Sequence, residues 1–211
     1  MTVGKYRHES LYFIGAKCYN IFKNKSDKSE FKGVFSLRLK LNLSTICFEF
    51  SISHYVRSTK ERWDKEWCAV SVACRGGNWL NYVRNADETL LSCEVETILD
   101  HLEDLLNDRL HSSGQLAFIE PDFILILNPK KDLTKDAKYL YVAPGYEIQD
   151  IDMEWKIVFR DGKSNDHYLS LRFYREDLTH LQKYLSFITG KISQSDAEIQ
   201  KMIESGVLCP F

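Results

Sequence analysis

The sequence predicts an α+β protein with a mostly antiparallel sheet, two amphipathic helices and a short C-terminal helix. Short segments in which apolar and polar residues alternate dominate the chain from residue 35 to residue 83 and recur after residue 116. Between them lies a segment whose apolar residues recur at helical spacing, and two more helical segments follow the last strands. Strands and helices that are segregated in this way are typical of antiparallel α+β folds and not of doubly wound sheets.

The strands that precede the first helix form two predicted hairpins. Residues 35–41 and Ile46–Ser53 alternate between apolar and polar side chains, which is the period of a strand with one buried face. A polar loop follows, and residues 67–74 then form the next predicted strand. The turn sequence Arg75-Gly76-Gly77-Asn78 joins it to a strand over residues 79–83.

The first helix is predicted over residues 95–106. Its apolar residues fall at the i, i+3, i+4 and i+7 positions of one helical face, with Ser92 placed as the N-cap and Gly114 after the end. The outward face is predicted to be acidic, and its carboxylates belong to Glu94, Glu96, Asp100, Glu103, Asp104 and Asp108.

The second half of the chain repeats this order of strands before helices. Strands are predicted over residues 116–119, 123–127, 155–159 and 168–173, and the last two are joined by a turn at Asp161 and Gly162. A second amphipathic helix carries Leu178, Leu181, Leu185 and Ile188 on one face and ends at Gly190. The capping-box spacing of Ser195 and Glu198 predicts a third, short helix that ends at Gly206.

We expect all 211 residues to form a single α+β domain. Residues 1–33 are interpreted as a basic N-terminal extension and residues 193–211 as a C-terminal helical tail.

Composition and charge argue against several classes of protein. The apolar share of 44% and the charged share of 27% are typical of soluble globular proteins, and a net charge of −2 gives no field that attracts a polyanion. No apolar run reaches the roughly 18–20 residues that a membrane span needs. The first residues do not resemble a secretion signal, so we expect the six cysteines to be free thiols in the cytoplasm.

The sequence contains no recognisable catalytic, cofactor-binding or metal-binding motif. The six histidines lack the spacing of zinc ligands, and there is no C-x-x-C pair, no glycine-rich phosphate loop and no G-x-S-x-G elbow. We therefore expect no enzyme activity, no cofactor and no metal site.

Two charged regions leave other functions open. The run Asp150-Ile151-Asp152-Met153-Glu154 is predicted to place three acids on one face of a strand, where they could hold a divalent cation in a metal-dependent hydrolase. The basic N-terminal extension could instead serve an adapter or a nucleic-acid-binding module. A third interpretation is that the acidic surfaces imitate a phosphate backbone and bind the basic residues of a nucleic-acid-cleaving protein.

Several segments together resemble one protein family. These segments are the strand over residues 67–72, the turn Gly76-Gly77-Asn78-Trp79, the helix over residues 95–106 and the segment Phe118-Ile119-Glu120-Pro121-Asp122-Phe123. Together they resemble the WapI-type immunity proteins of bacterial polymorphic toxin and contact-dependent inhibition systems. The resemblance extends over residues 37–188. It implies a protein that binds a cognate toxin domain stoichiometrically and neutralises it.

The resemblance also implies a partner, and the acidic surfaces supply candidate contacts. The expected partner is the C-terminal domain of a cognate toxin, for which a nuclease is one candidate, and neither a membrane nor a direct nucleic-acid partner is expected. The candidate toxin-binding residues lie on the first helix and on the acidic strand, and they are Glu96, Asp100, Glu103, Asp104, Asp150, Asp152 and Glu154.

Overall fold

Two five-stranded sheets face each other in the protein, and helices pack along the side where the sheets meet. The computed structural model describes residues 10–13, 37–57, 66–159 and 167–210. This part of the chain confirms the predicted α+β class and the mostly antiparallel pairing.

Apart from four short strands, the described strands and helices follow the order that the sequence predicts. The strands are β1 (Ser10–Phe13), β2 (Leu37–Leu43), β3 (Ile46–Ser53), β4 (Trp67–Gly76), β5 (Leu80–Leu91), β6 (Gly114–Ala117), β7 (Phe123–Asn128), β8 (Lys131–Asp132), β9 (Ile148–Gln149), β10 (Asp152–Val158), β11 (Tyr168–Tyr174) and β12 (Leu208–Pro210). The helices are α1 (Ser92–Leu106), α2 (Arg175–Ile188) and α3 (Ala197–Glu204). The four strands that were not predicted are β1, β8, β9 and β12.

The two large sheets differ in how they are connected. The first sheet has the strand order β1-β6-β7-β10-β11, and the second has the order β12-β2-β3-β4-β5. Between β7 and β10 the chain leaves the first sheet and forms a separate two-stranded ribbon of β8 and β9. Among the described strands, β1 and β6 are the one parallel pair.

Aromatic side chains fill the space between the two sheets. The alternation of β3 turns Phe48 and Phe50 inward, and on the opposite sheet Trp155 and Phe173 occupy the matching buried positions. The ring centroids of Trp155 lie 5.5 Å from Phe48, 5.1 Å from Phe50 and 5.7 Å from Phe173. Buried residues of both sheets therefore belong to one hydrophobic cluster.

The helices contact each other and both sheets. Helix α2 packs against α1 and α3, and it also contacts β2 of the second sheet and both β10 and β11 of the first. The predicted helical tail contains a strand as well, because β12 follows α3 and pairs with β2. Likewise β1, within the predicted basic extension, pairs with β6, so this part of the extension belongs to the first sheet.

The beginning of α1 differs from the prediction. Leu91 is the N-cap, not Ser92, and the Glu94 carboxylate accepts hydrogen bonds from the backbone N–H of Leu91 at 2.9 Å and of Ile119 at 2.8 Å. The prediction that Glu94 faces outward is also wrong, because its side chain is buried. Burial raises the pKa of Glu94, while the two backbone hydrogen bonds oppose that rise.

The ends of the helices follow the predicted glycines in two of three cases. Gly190 and Gly206 have φ angles of 72° and 75°, the left-handed conformation that glycine adopts after a helix. Helix α1 ends earlier than Gly114 implies, with Asp108 at a φ of 55°, and Gly114 instead begins β6. At the start of α3, Asp196 is the N-cap where Ser195 was predicted, and its carboxylate accepts from the backbone N–H of Glu198.

Strand β5 is longer than predicted. The alternation predicted a strand over residues 79–83, whereas β5 runs to Leu91 through the polar run 84–89. This run lies in an edge strand, where the register against β4 shifts at two places and most side chains are exposed. Polar side chains on both faces are therefore compatible with the strand.

Other predictions are confirmed or lie outside the described residues. The five described cysteines, at positions 47, 68, 74, 93 and 209, form no disulfide with one another. The predicted turn at Asp161 and Gly162, most of the polar loop before β4 and the basic extension apart from β1 lie outside the described residues.

Candidate functional site

The outward side of α1 carries an excess of negative charge. Residues 92–108 contain six acidic side chains and no lysine or arginine. We call the set Glu96, Asp100, Glu103 and Asp104 the acidic face. The side chains of Asp100 and Asp104 are each 46% exposed, so a partner can reach them.

Several side chains partly neutralise the acidic face. Lys191 places its Nζ 3.4 Å from Asp100 and 3.2 Å from Glu103, and Arg109 lies 2.8 Å from Asp104. Glu96 accepts a hydrogen bond of 2.6 Å from the Tyr55 hydroxyl, and burial together with this carboxylate raises the pKa of Tyr55. The exposed ends of Asp100 and Asp104 are thus the most accessible part of the face.

The acidic strand does not present three equivalent carboxylates. Asp150 precedes β10 and is exposed, whereas Asp152 is only 3% exposed. The Asp152 carboxylate accepts from the Asn128 amide at 2.8 Å and the Gln149 amide at 3.3 Å. Neighbouring side chains therefore cover the Asp152 carboxylate, and its role as a contact residue stays a prediction.

Glu154 and its surroundings form a separate patch on the outer surface of the first sheet. The side chain is half-buried, and it accepts a hydrogen bond of 2.6 Å from the Ser170 hydroxyl of the neighbouring strand. The Lys156 Nζ lies 3.7 Å away. The carboxylate of Glu154 is therefore engaged across the β10–β11 pair, apart from the acidic face.

Arg175 brings the end of α1 and the segment before β10 together. Its Nε and Nη2 donate to the Asp150 carboxylate at 2.8 and 2.7 Å, and Nη2 also donates to Asp108 at 3.0 Å. Its Nη1 donates to the backbone carbonyl of Leu106 at 3.0 Å. Asp108 and Asp150 therefore share one guanidinium at the first residue of α2, which joins two of the predicted acidic segments.

The hydrogen bonds from Arg175 lower the pKa of Asp150 to about 2. We expect Arg175→Met to raise this pKa toward the ordinary value of 3.8. Because the folded-state pKa is depressed, the pair stabilises the protein above pH 3.8 and its contribution is lost as the pH falls toward 2. The groups are exposed, so the contribution to stability is below about 1 kcal/mol.

Carboxyl-carbon NMR titration measures this effect directly. Asp136 is the internal control, because its pKa is lowered by the hydrogen bond with Lys131 and should not respond to Arg175→Met. An Asp150 pKa that stays near 2 in the variant would show that Arg175 is not its cause.

The described residues contain neither a metal-binding group nor a membrane span. No three histidine, cysteine, aspartate or glutamate side chains in this part of the chain are arranged to hold a metal ion. No helix among the same residues is long and apolar enough to cross a membrane.

Sequence reasoning missed a cluster of exposed apolar residues between β7 and β10. We call residues 133–148 the aromatic loop, and its exposed apolar side chains are Tyr139, Leu140, Tyr141, Tyr146 and Ile148. The signal that could have identified it is the apolar run Tyr139-Leu140-Tyr141-Val142 inside an otherwise charged loop. Apolar residues there have no strand or helix period that would bury them.

Comparison with known proteins places the chain in a family. The chain matches the model of the immunity protein WapI-like family over residues 38–193, which include α1, the aromatic loop, Arg175 and most of both sheets. None of the curated proteins compared with the chain matches it. Because the family model covers most of the sequence, the chain belongs to the WapI-like immunity protein family.

Proposed function

We propose that the protein is a cytoplasmic immunity protein without enzyme activity that binds the C-terminal domain of a cognate toxin and neutralises it stoichiometrically. Membership of the WapI-like immunity family is the observation that carries this proposal. The toxin belongs, in this proposal, to a polymorphic or contact-dependent inhibition system. A compatible surface is present, because α1 exposes carboxylates that exceed the nearby cations.

The acidic face and Asp150 are the proposed contact residues. Asp100 and Asp104 project from a rigid helix, which keeps them in place without a large entropy cost on binding. A surface with excess negative charge attracts a basic partner and raises the association rate. Asp152 and Glu154 are less favourable candidates. The side chain of Asp152 is buried and that of Glu154 is 28% exposed, whereas those of Asp100 and Asp104 are 46% exposed and that of Asp150 is 55% exposed.

A nuclease toxin would fit these charges best. Nucleases bind phosphate through lysine and arginine side chains, and carboxylates on a helix offer the same side chains a competing anionic surface. The contact would therefore occupy or border the nucleic-acid groove of the toxin.

The alternative of a metal-dependent hydrolase finds little support in the geometry of the acidic strand. Asp150 holds the guanidinium of Arg175, and Asp152 holds two amide groups. A divalent cation at this place would have to displace a cation and two hydrogen-bond donors. The alternative of an adapter or nucleic-acid-binding module rests on the basic extension, most of which lies outside the described residues.

Co-expression with the toxin domain encoded beside the gene for this chain tests the proposal. We expect the wild-type protein to restore growth and to form a complex of equal stoichiometry with the toxin domain. Failure to bind and to protect would contradict the proposed function.

Charge reversal tests the acidic face within that complex. We expect Asp100→Lys with Asp104→Lys to lower the association rate constant by about tenfold or more at low salt, with a smaller difference at high salt. The matched control is Glu198→Lys with Glu204→Lys, which changes the net charge equally on the exposed side of α3. Stopped-flow measurements at several salt concentrations give the rates, and equal slowing in both double variants would reject a specific role for α1.

A further inference from the structure

The large apolar side chains of the aromatic loop are exposed to solvent. Leu140 is fully exposed, and the residues Tyr141 and Tyr146 are 76% and 73% exposed. Tyr139 and Ile148 add exposed apolar atoms from the same loop. Scattered apolar residues are ordinary on protein surfaces, but a cluster of this kind indicates a binding surface.

Polar contacts hold the backbone of this loop in one conformation. The β8–β9 ladder closes its base, and the Leu133 N–H donates to the Glu147 carbonyl at 2.7 Å. Within the loop, the Tyr139 N–H donates to the Asp136 carbonyl at 3.0 Å and the Tyr146 N–H donates to the Ala143 carbonyl at 3.1 Å.

Polar side chains also hold the loop in this conformation, and the exposed apolar side chains take no part in these contacts. The Asp132 carboxylate accepts from the backbone N–H and the hydroxyl of Thr134, Lys131 pairs with Asp136, and the Gly145 N–H donates to the Glu147 carboxylate. The apolar side chains are therefore displayed by a preorganised loop. Preorganisation lowers the entropy lost when such side chains enter a partner.

The aromatic loop ends close in sequence to one of the proposed contact residues, Asp150. Ile148 is separated from Asp150 by one residue, and Asp150 meets Asp108 at the end of α1 through Arg175. At the start of the loop, lysines and aspartates pair with each other: Lys131 with Asp136 and Lys135 with Asp132. The end of the aromatic loop thus lies two residues from Asp150, which shares the Arg175 guanidinium with a second carboxylate, that of Asp108.

We infer that the aromatic loop is the apolar anchor of the toxin interface and enters an apolar concavity of the toxin domain that is bordered by lysine and arginine. This inference rests on the proposed function and adds to it the chemistry of the partner surface. Tyrosine and leucine at the centre of an interface contribute affinity through desolvation, and the acidic residues beside them orient the partner by charge. The loop therefore governs the dissociation rate, and the acidic face governs the association rate.

The inference is tested by measuring binding to the toxin domain that is encoded beside this chain's gene. Isothermal titration calorimetry gives the affinity, and surface plasmon resonance gives the dissociation rate. We expect Leu140→Ser with Tyr141→Ser to weaken binding by about a hundredfold or more, mainly through faster dissociation. The matched control is Trp79→Ser with Val83→Ser, which removes an exposed aromatic and an exposed aliphatic side chain from β5 and its turn in the second sheet. This control is expected to bind within about threefold of wild type, since single exposed side chains outside an interface contribute little.

The possible failures are distinguishable. If the wild-type chain does not bind the toxin domain, the proposed function fails. If wild type binds and the Leu140/Tyr141 double variant binds equally well, the inference about the loop fails while the proposed function stands. The aromatic loop could instead bind a second copy of this chain, and light scattering of the free proteins tests this alternative. A wild-type dimer that the loop substitutions dissociate would overturn the inference.

Discussion

Replacement of Trp155 by alanine is expected to destabilise the protein by about 3–5 kcal/mol, the cost typical of removing a large aromatic side chain from a packed core. Trp155 lies on β10 and is 1% exposed. It packs against Phe48 and Phe50 of the opposite sheet and against Phe123 and Phe173 of its own. Its loss would leave a cavity at the place where the two sheets meet. Urea denaturation measures the change in the free energy of unfolding.

Trp155→Phe separates packing from the polarity of the indole. The indole Nε1–H of Trp155 is buried and finds no acceptor among the described residues. A phenyl ring leaves a smaller cavity than alanine and removes this donor, whose burial without a partner costs about 1–3 kcal/mol. We therefore expect Trp155→Phe to cost less than half as much as Trp155→Ala. An alanine variant that loses less than about 1 kcal/mol would contradict the packing of the two sheets around Trp155.

Removal of the Tyr184 hydroxyl is expected to produce the second large loss of stability. The pairing of Leu39 with Phe50 would, if continued, place Leu37 opposite Ile52. Instead the buried Tyr184 hydroxyl of α2 lies between them, accepting from the Ile52 N–H at 2.9 Å and donating to the Leu37 carbonyl at 3.2 Å. Burial raises the pKa of Tyr184, so the hydroxyl stays protonated and keeps its donor.

Tyr184→Phe leaves two buried backbone groups without this partner, and we expect a loss of about 2–3 kcal/mol. The matched control is Tyr174→Phe, because Tyr174 is exposed and should change stability by less than about 0.5 kcal/mol. Hydrogen exchange supplies a second readout, since the Ile52 amide should lose protection in Tyr184→Phe and keep it in the control. Unchanged stability together with unchanged Ile52 protection would show that the strands pair directly without the hydroxyl.

Local patterns predicted the elements whose structure depends on neighbours in the sequence. Strand β3 has the predicted bounds, since strict alternation over Ile46–Ser53 determines which side chains face the core. The apolar stripe of α2 faces inward, with Leu178, Leu181 and Leu185 buried. Gly190 and Gly206 adopt the left-handed conformation because their lack of a Cβ makes it accessible.

The same patterns misplaced residues whose partners are distant in the sequence. Glu94 fits the outer acidic side of α1 by spacing, yet its carboxylate turns inward to the backbone N–H of Ile119. Asp152 alternates with core residues and was expected in water, yet Asn128 and Gln149 cover it. In both cases a hydrogen-bond donor from another segment determines where a carboxylate lies, and residue spacing contains no information about that donor.

Four properties were readable in the amino-acid sequence: the α+β class, the order of the main strands and helices, the acidic character of α1 and the resemblance to an immunity family, which the family model then confirmed. These properties follow from periodicity and composition, which act over a few neighbouring residues. Three other properties depend on how distant segments pack: which acids remain exposed, how Arg175 joins Asp108 to Asp150, and the exposure of the aromatic loop's side chains to solvent. Exposure depends on what the rest of the chain covers, so it is decided when distant segments pack together.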